Sequence, residues 1–309
     1  MEKVGLRKWI SFIVIGLAGQ FAWCIENMYL NKFIFYLDSS GNYMQLISIT
    51  VALSATTAAL TTIFIGSLID KIGHRKLIII IGYILWGIST ISFGFINVEN
   101  ISYLFPTLNA GLVCGVSVIL LDCIMTFFGS SANDACFNSY VTREITNKNR
   151  GKVEGVLSIL PLFAMLVIFV GLNGLTDGEN PRWDIFFYII GAIVLVVGIA
   201  SIFLLPKEEN KKQEDNYLKI ITTGFSLKTI KENKTLYLVF LAYMVYGISS
   251  QIYFPYLMIY FEYGLGFSGF DFSLVLGIVL IVGSILSVLY GILSDKINKL
   301  VSLIPVIII

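Results

Sequence analysis

The chain has 309 residues, of which 57% are hydrophobic and 13% are charged, against about 25% charged in an ordinary soluble domain. A soluble fold of this length could not bury so much apolar surface, whereas a bilayer accepts it as solvent, so the composition predicts a multi-pass membrane protein in a lipid bilayer. The net charge is +1 and is divided among loops instead of being pooled on one face, so it gives no indication of a nucleic-acid partner and we expect none. No cofactor motif or metal-ligand spacing occurs, so we expect no cofactor and no metal.

Apolar stretches along the chain predict the membrane helices, since a helix needs about 20 apolar residues to cross a bilayer core. Eight stretches are long enough, at residues 9–37, 44–68, 76–96, 112–141, 152–175, 184–205, 235–262 and 272–294. A ninth begins in "LVSLIPVIII" and stops at Ile309. We therefore expect a C-terminally incomplete chain with eight full spans and the start of a ninth.

The distribution of basic residues predicts the orientation and the domain boundaries. With a cytoplasmic N-terminus, 19 of the 21 Lys and Arg residues fall on the cytoplasmic side, and only Lys32 and Arg182 fall outside, as the positive-inside rule requires. We expect a plasma (inner) membrane protein. The charged stretch 206–234 predicts a cytoplasmic central loop between a six-helix N-terminal bundle, 1–205, and an incomplete C-terminal bundle, 235–309.

Polar side chains form a stripe on the first predicted helix. Gln20, Asn27 and Asn31 fall within about 40° of one another at 100° per residue. Trp23 lies beside them, and Glu26 lies on the flank of the stripe. Amides that bind hydroxyl groups, next to an indole that stacks on a sugar ring, would suit a sugar. The alternative is that the amides hydrogen-bond neighbouring helices together.

The fourth predicted helix carries two acidic residues inside the membrane, where ionisable groups are costly and therefore candidates for function. Asp122 and Asn133 share one face, and Asp134 lies at its margin. The two aspartates are about 18 Å apart along the helix axis at 1.5 Å per residue, so we do not expect them to form one dyad. In the seventh helix, Gln251 follows Glu26 by 225 residues and is a further candidate for the substrate or ion site.

Two related loops indicate an internal repeat. The loop after the second helix reads "GSLIDKIGHRK", and "GILSDKINKL" follows the eighth helix 225 residues later; such repeats are typical of transporters. The first loop resembles the signature of the major facilitator superfamily. The resemblance implies an all-α polytopic fold of two six-helix bundles, the second incomplete here, and a gating role for Gly66, Asp70, Gly73, Arg75 and Lys76, with Gly291 and Asp295 in the second copy.

The residue types of the first loop suit a gate. Gly66 would let neighbouring helices approach closely, and Gly73 would permit a tight turn. Asp70 could accept hydrogen bonds from a helix N-terminus and pair with Arg75. An alternative is that Arg75 and Lys76 only anchor the topology.

A second resemblance suggests a substrate class and a coupling ion. The stretch "DACFNSYVTREIT" is similar to the fourth helix of cation-coupled sugar symporters related to melibiose permease, which implies a sugar-binding role for Asp134. Those sodium users have acids in the second helix, whereas "ITVALSATTAALTTIFI" has none. We therefore predict a symporter of a small polar solute that uses a proton, carried by Glu26 or Asp134, instead of sodium.

Other functions fit the sequence less well. A drug/proton antiporter usually has an arginine within the fourth helix, and here the first is Arg143 at its end. No phosphate-binding loop for ATP, no H-E-x-x-H pattern and no nucleophile elbow occur, so we expect neither an ATP-driven pump nor an enzyme. A truncated, transport-inactive remnant is the third alternative.

Overall fold

Long apolar helices make up almost all of the computed structural model, which describes residues 4–38, 41–146, 149–178, 180–206, 222, 224 and 226–294. They are α1 (Leu6–Leu37), α2 (Tyr43–Ile72), α3 (Arg75–Phe95), α4 (Ala110–Glu144), α5 (Arg150–Leu157 and Leu160–Gly171), α6 (Trp183–Leu204), α7 (Lys234–Gly264) and α8 (Gly269–Ser294). Within this described part, seven helices, α1 to α7, are long and apolar enough to cross a membrane. The predicted ninth helix lies outside it.

The predicted and observed helices agree in position, and α5 shows the main difference. Its predicted span, 152–175, is broken at Ser158 and Ile159 and ends at Gly171. Pro161 lies in the first turn of the second segment, where a residue without a backbone N–H costs the helix least. Short helices also occur at Val98–Leu104 and Leu227–Glu232; the second belongs to the predicted central loop.

Glycines allow α3 and α6 to touch backbone to backbone. A Cβ at Gly87 would lie 2.5 Å from the amide nitrogen of Leu195, and one at Gly191 would lie 2.7 Å from that of Ile91. A side chain at either position would therefore push the helices apart. This contact joins α3 and α6 into a closely packed pair, with α1 against α6 and α4 against α3.

Apolar side chains cover the outside of these helices as well as their interior. Leu120, Val170 and Phe203 are exposed, while Phe12, Tyr83 and Trp86 are fully buried between helices. An apolar exterior is what a lipid environment requires, because lipid tails replace water around the helices.

The helices α7 and α8 join the others at one end of the molecule. In α7 the side chains of Pro255, Met258 and Ile259 are buried, while apolar side chains between Leu236 and Tyr253 are exposed. We call the end that carries Arg75 and Lys76 the α2–α3 end. The C-terminal part of α7 therefore packs against the other helices near the opposite end. Its N-terminal part, towards the α2–α3 end, does not.

A buried ion pair lies at the junction of α1 and α7. The Lys32 Nζ is 2.7 Å from Glu262 Oε2 and 2.8 Å from Oε1. The two side chains are only 2% and 6% exposed. Lys32 is one of the two basic residues that the sequence pattern places on the outer side, and its partner is 230 residues away along the chain.

Candidate functional site

A polar cavity of about 290 Å³ lies between α1, α2, α4 and α7. Its walls combine acids, amides, small side chains and one indole. The lining residues are Trp23, Glu26, Asn27, Asn31, Thr50, Val51, Ser54, Ala55, Ala58, Asp122, Asp134, Gln251 and Pro255.

Seven of the nine residues that the sequence pattern proposes for a substrate or ion site lie on this cavity. The structure places Gln20, half-buried in α1, and Asn133, buried in α4, elsewhere. Asn133 Oδ1 accepts a hydrogen bond from the Tyr83 hydroxyl at 2.9 Å, and its Nδ2 donates to Asp134 Oδ1 at 3.2 Å. Asn133 thus joins α4 to α3 through Tyr83 and contacts the neighbouring Asp134 side chain.

Short π-helical segments carry several of the cavity residues. Ile25–Tyr29 interrupts α1, and Ser130–Phe137 interrupts α4. A π-helical turn inserts one extra residue and is frequent at functional sites. The first segment carries Glu26 and Asn27, and the second carries Asp134, so each wide turn displays polar side chains towards the cavity.

Glu26 is held by a hydroxyl pair that the sequence pattern does not single out. The Ser54 hydroxyl donates to Glu26 Oε1 at 2.5 Å and lies 3.0 Å from the Thr126 hydroxyl. Both hydroxyl-bearing residues are buried. The only sequence signal for Ser54 is its i+4 relation to Thr50, which puts both on one face of a helix rich in small residues.

Asp122 is the most deeply buried acid of the site, with 0% exposure. Neither of its carboxylate oxygens has a partner with hydrogen-bonding geometry among the described residues, although Ser54 and Glu26 lie close enough to interact with it electrostatically. Ionised Glu26 and Asp122 would repel each other, because charges in a buried setting are poorly screened. Glu26 on α1 and Asp122 on α4 lie close to each other beside the hydroxyl groups of Ser54 and Thr126. Helix periodicity alone does not predict this contact between helices.

A second cavity of about 430 Å³ lies towards the α2–α3 end. Asp134 lines both cavities. The other residues of the second cavity are Thr62, Gly66, Ile69, Ala135, Asn138, Ser139, Thr142 and Arg143. Asp134 therefore stands between the first cavity and a second one nearer the loop between α2 and α3.

The loop between α2 and α3 is organised around Gly73 and Arg75. Gly73 adopts φ +81°, and its N–H donates to the Ile69 carbonyl at 2.8 Å, so the predicted tight turn is present. The buried Arg75 donates from Nε to the Ser139 hydroxyl of α4 at 3.1 Å. At Gly66 an added Cβ would meet the Ala135 Cβ of α4 at 4.0 Å, an ordinary van der Waals distance, so the packing of α2 against α4 leaves room for a small side chain there.

Lys76 caps the C-terminal end of α6. Its Nζ donates to the carbonyls of Ile202 at 3.0 Å and Leu205 at 2.7 Å, where the last carbonyls of a helix lack partners within the helix. Arg7 Nη2 donates to the Phe203 carbonyl at 2.6 Å on the same helix end. Lys76 therefore joins α3 to the end of α6, and Arg7 joins α1 to the same end.

Comparison with known proteins identifies the family. The family model described as Major Facilitator Superfamily matches residues 4–309. The chain belongs to the major facilitator superfamily. It is 25% identical over 272 residues to "Multidrug resistance protein 2" of Bacillus subtilis (strain 168), covering 87% of the chain and 62% of that protein. Its fold is similar to that in "Crystal structure of D-xylose-proton symporter", with a TM-score of 0.53 and 17% identity over 93% of this chain and 69% of that one.

Membership in the major facilitator superfamily confirms the predicted all-α membrane fold. The chain spans less than two thirds of the length of its curated relative. Of the predicted gate, the Asp70 side chain and Asp295 lie outside the described part of the structure, and Gly291 is described only as a residue of α8. The gating role of these residues stays a prediction.

Proposed function

We propose that this major facilitator protein moves a small polar solute through the cavity by alternating access, with protons supplying the driving force. Sugars and glycosides are the first candidates for the solute. The observation that carries the proposal is that Glu26, Asp122 and Asp134 all line one cavity between helices of the membrane region. Carboxyl groups in such a place are suited to binding and releasing protons, and the adjoining amides of Asn27 and Asn31 are suited to hydroxyl groups.

The arrangement of helices supports alternating access. The cavity lies between α1, α2 and α4 on one side and α7 on the other. The contacts of α7 are near the end opposite the α2–α3 end, where Lys32 binds Glu262. A rocking motion that moves α7 relative to α1 would change which end of the cavity is closed. If the N-terminus is cytoplasmic, as the basic residues predict, the closed end faces outward.

Proteoliposomes test the proposal directly. The complete protein is reconstituted, a pH gradient is imposed, and accumulation of labelled D-xylose and other simple sugars is measured. We expect Glu26→Gln and Asp134→Asn each to reduce gradient-driven accumulation at least tenfold. Glu154→Gln is the matched control, because Glu154 is 51% exposed and pairs only loosely, at 3.7 Å, with Arg150. Uptake that survives both cavity substitutions with an intact pH dependence contradicts proton coupling through these residues.

Drug/proton antiport is the second candidate. It is favoured by the 25% identity to the Bacillus subtilis multidrug resistance protein, although α4 has no arginine before Arg143. In the same proteoliposomes, extrusion of a lipophilic dye driven by the pH gradient, together with no sugar accumulation, would select this function over sugar symport.

A further inference from the structure

The second cavity, at the α2–α3 end, exists because small residues face each other across α2 and α4. A Cβ added at Gly66 would meet no atom of a neighbouring helix closer than the Ala135 Cβ, at 4.0 Å, so neither helix fills the space between them. The volume of about 430 Å³ lies within the range of small-molecule sites. The cavity is therefore large enough for a small solute.

Polar side chains of this cavity keep hydrogen-bonding atoms for a ligand. In the described part of the structure, the Thr62 hydroxyl and the Asn138 side-chain amide make no hydrogen bond. The Thr142 hydroxyl donates to the Asn138 carbonyl at 2.8 Å, so its oxygen remains as an acceptor. Asn138 and Thr142 are exposed and lie four residues apart on one face of α4, so one ligand can reach both.

Asp134 gives the second cavity an accessible carboxylate. It is half-buried, whereas Asp122 is fully buried, and it lines both cavities. The Asn133 amide donates to one of its oxygens at 3.2 Å. An ionised carboxylate offers about four acceptor positions, so Asp134 can accept hydrogen bonds from ligand hydroxyl groups on either side.

The charges on the wall of the second cavity balance. Asp134 and Arg143 are the ionisable residues that line it in the described part of the chain, and their charges are opposite. The neighbouring Arg75 is buried and donates from Nε to the Ser139 hydroxyl at 3.1 Å. A wall with balanced charges and several hydroxyl and amide groups favours a neutral, hydroxylated ligand over a cation or an anion.

We propose that the second cavity is a separate binding site for the solute, where a second sugar molecule binds through Thr62, Asp134 and Asn138. The proposal deepens the proposed function, because it rests on a sugar as the solute and adds a place where that sugar binds. Asp134 serves both sites and accepts hydroxyl groups from the sugar on each side. If the N-terminus is cytoplasmic, as the basic residues predict, the second site is the one nearer the cytoplasm.

Counting bound sugar molecules tests the proposal. Labelled D-xylose and D-glucose are each equilibrated by dialysis with the complete protein in detergent, up to concentrations that saturate binding. We expect at least one of them to reach two molecules per chain. One molecule per chain, as follows if another part of the complete protein fills the cavity, overturns the proposal, and so does the absence of binding.

Variants of the cavity wall locate the second molecule. Asn138→Leu keeps a similar side-chain volume and removes the amide, so we expect it to leave one bound sugar per chain. Thr62→Val removes only a hydroxyl and should weaken the same site at least tenfold. Asp134→Asn should weaken both sites at least tenfold, because Asp134 lines both cavities.

Asn233→Leu is the matched control for Asn138→Leu. Asn233 is exposed at the start of α7, outside both cavities, and its side chain donates to the Thr229 carbonyl at 3.0 Å. This variant should still bind two sugars. Two sugars bound with unchanged affinity in both Asn138→Leu and Thr62→Val overturn the proposal, as does an equal loss in Asn233→Leu.

The two proposals fail separately. Sugar accumulation driven by a pH gradient, with one sugar bound per chain, leaves the proposed function intact and rejects the second site. Two sugars bound per chain without accumulation driven by a pH gradient keep the second site and reject proton coupling.

Discussion

Asp122 illustrates a conflict between stability and function within a single residue. Its carboxyl group is fully buried, and neither oxygen has a hydrogen-bond partner in the described structure. Such a group destabilises the fold, and residues of this kind are retained where activity needs them. The same reasoning does not apply to Asp184, whose carboxylate is exposed at the surface and bound by Arg182 at 3.0 Å.

Replacing Asp122 with an apolar residue should therefore stabilise the protein while abolishing transport. We expect Asp122→Leu to raise the thermal unfolding midpoint in detergent, or at least to leave it unchanged, and to eliminate gradient-driven transport. The measurement is a melting curve alongside a proteoliposome assay. A lowered midpoint would contradict this prediction, because it would mean that the Asp122 carboxyl group stabilises the fold although its oxygens lack hydrogen-bond partners in the described structure.

Ser54 should matter more to stability than its small size suggests. Ser54→Ala leaves Glu26 Oε1 without its donor and the Thr126 hydroxyl without its neighbour, and we expect a loss of about 1–3 kcal/mol in the free energy of unfolding. Thr56→Ala on the same helix is the control, because its exposed hydroxyl bonds only to the Ala52 carbonyl. Its effect should stay within about 0.5 kcal/mol. Denaturant unfolding of both variants gives the comparison.

The sequence predicts part of the candidate site and misses the rest for a physical reason. The polar stripe on α1 follows from helix periodicity, so the positions of Asn27 and Asn31 beside Trp23 can be read in advance. Periodicity within one helix carries no information about contacts between helices. Ser54 is one of many serines and threonines of α2, and only the packing of α1, α2 and α4 distinguishes it.

At the scale of elements, the backbone contact between α3 and α6 should tolerate no side chain. We expect Gly87→Ala to cost about 1–3 kcal/mol, as overpacking does, because its Cβ would lie 2.5 Å from a backbone nitrogen. Gly155→Ala in α5 is the matched control, since nothing lies within 4 Å of an added Cβ there, and alanine favours helix by about 1 kcal/mol over glycine. Opposite shifts of the melting midpoint are expected for the two variants.

Helix positions are predicted well by hydropathy because the bilayer imposes a minimum apolar length on each span. The sixth span, predicted at 184–205, is observed at Trp183–Leu204. Interruptions within a helix are not predicted by hydropathy. The π-helical turn at Ile25–Tyr29 and the break at Ser158 in α5 depend on packing and on local hydrogen bonds, which average hydropathy does not encode.

At the scale of the whole molecule, the Lys32–Glu262 pair should couple α1 to α7. Removing one partner leaves the other as an unpaired buried charge, so we expect Lys32→Met to destabilise the protein by about 3–5 kcal/mol. The double variant Lys32→Met/Glu262→Gln should recover most of that loss. A double-mutant cycle from unfolding curves measures the interaction, and additive effects of the two substitutions would contradict a direct pair.

Two tryptophans give the cavity an optical property. Trp23, on the cavity wall, meets the fully buried Trp86 edge to face, with ring centroids 5.1 Å apart at 63°. Indoles held this close and at a fixed angle couple their electronic transitions and contribute a circular dichroism band in the near ultraviolet. A solute that settles against Trp23 and tilts its ring alters that band, so the protein carries a label-free spectroscopic reporter of whether its cavity is occupied.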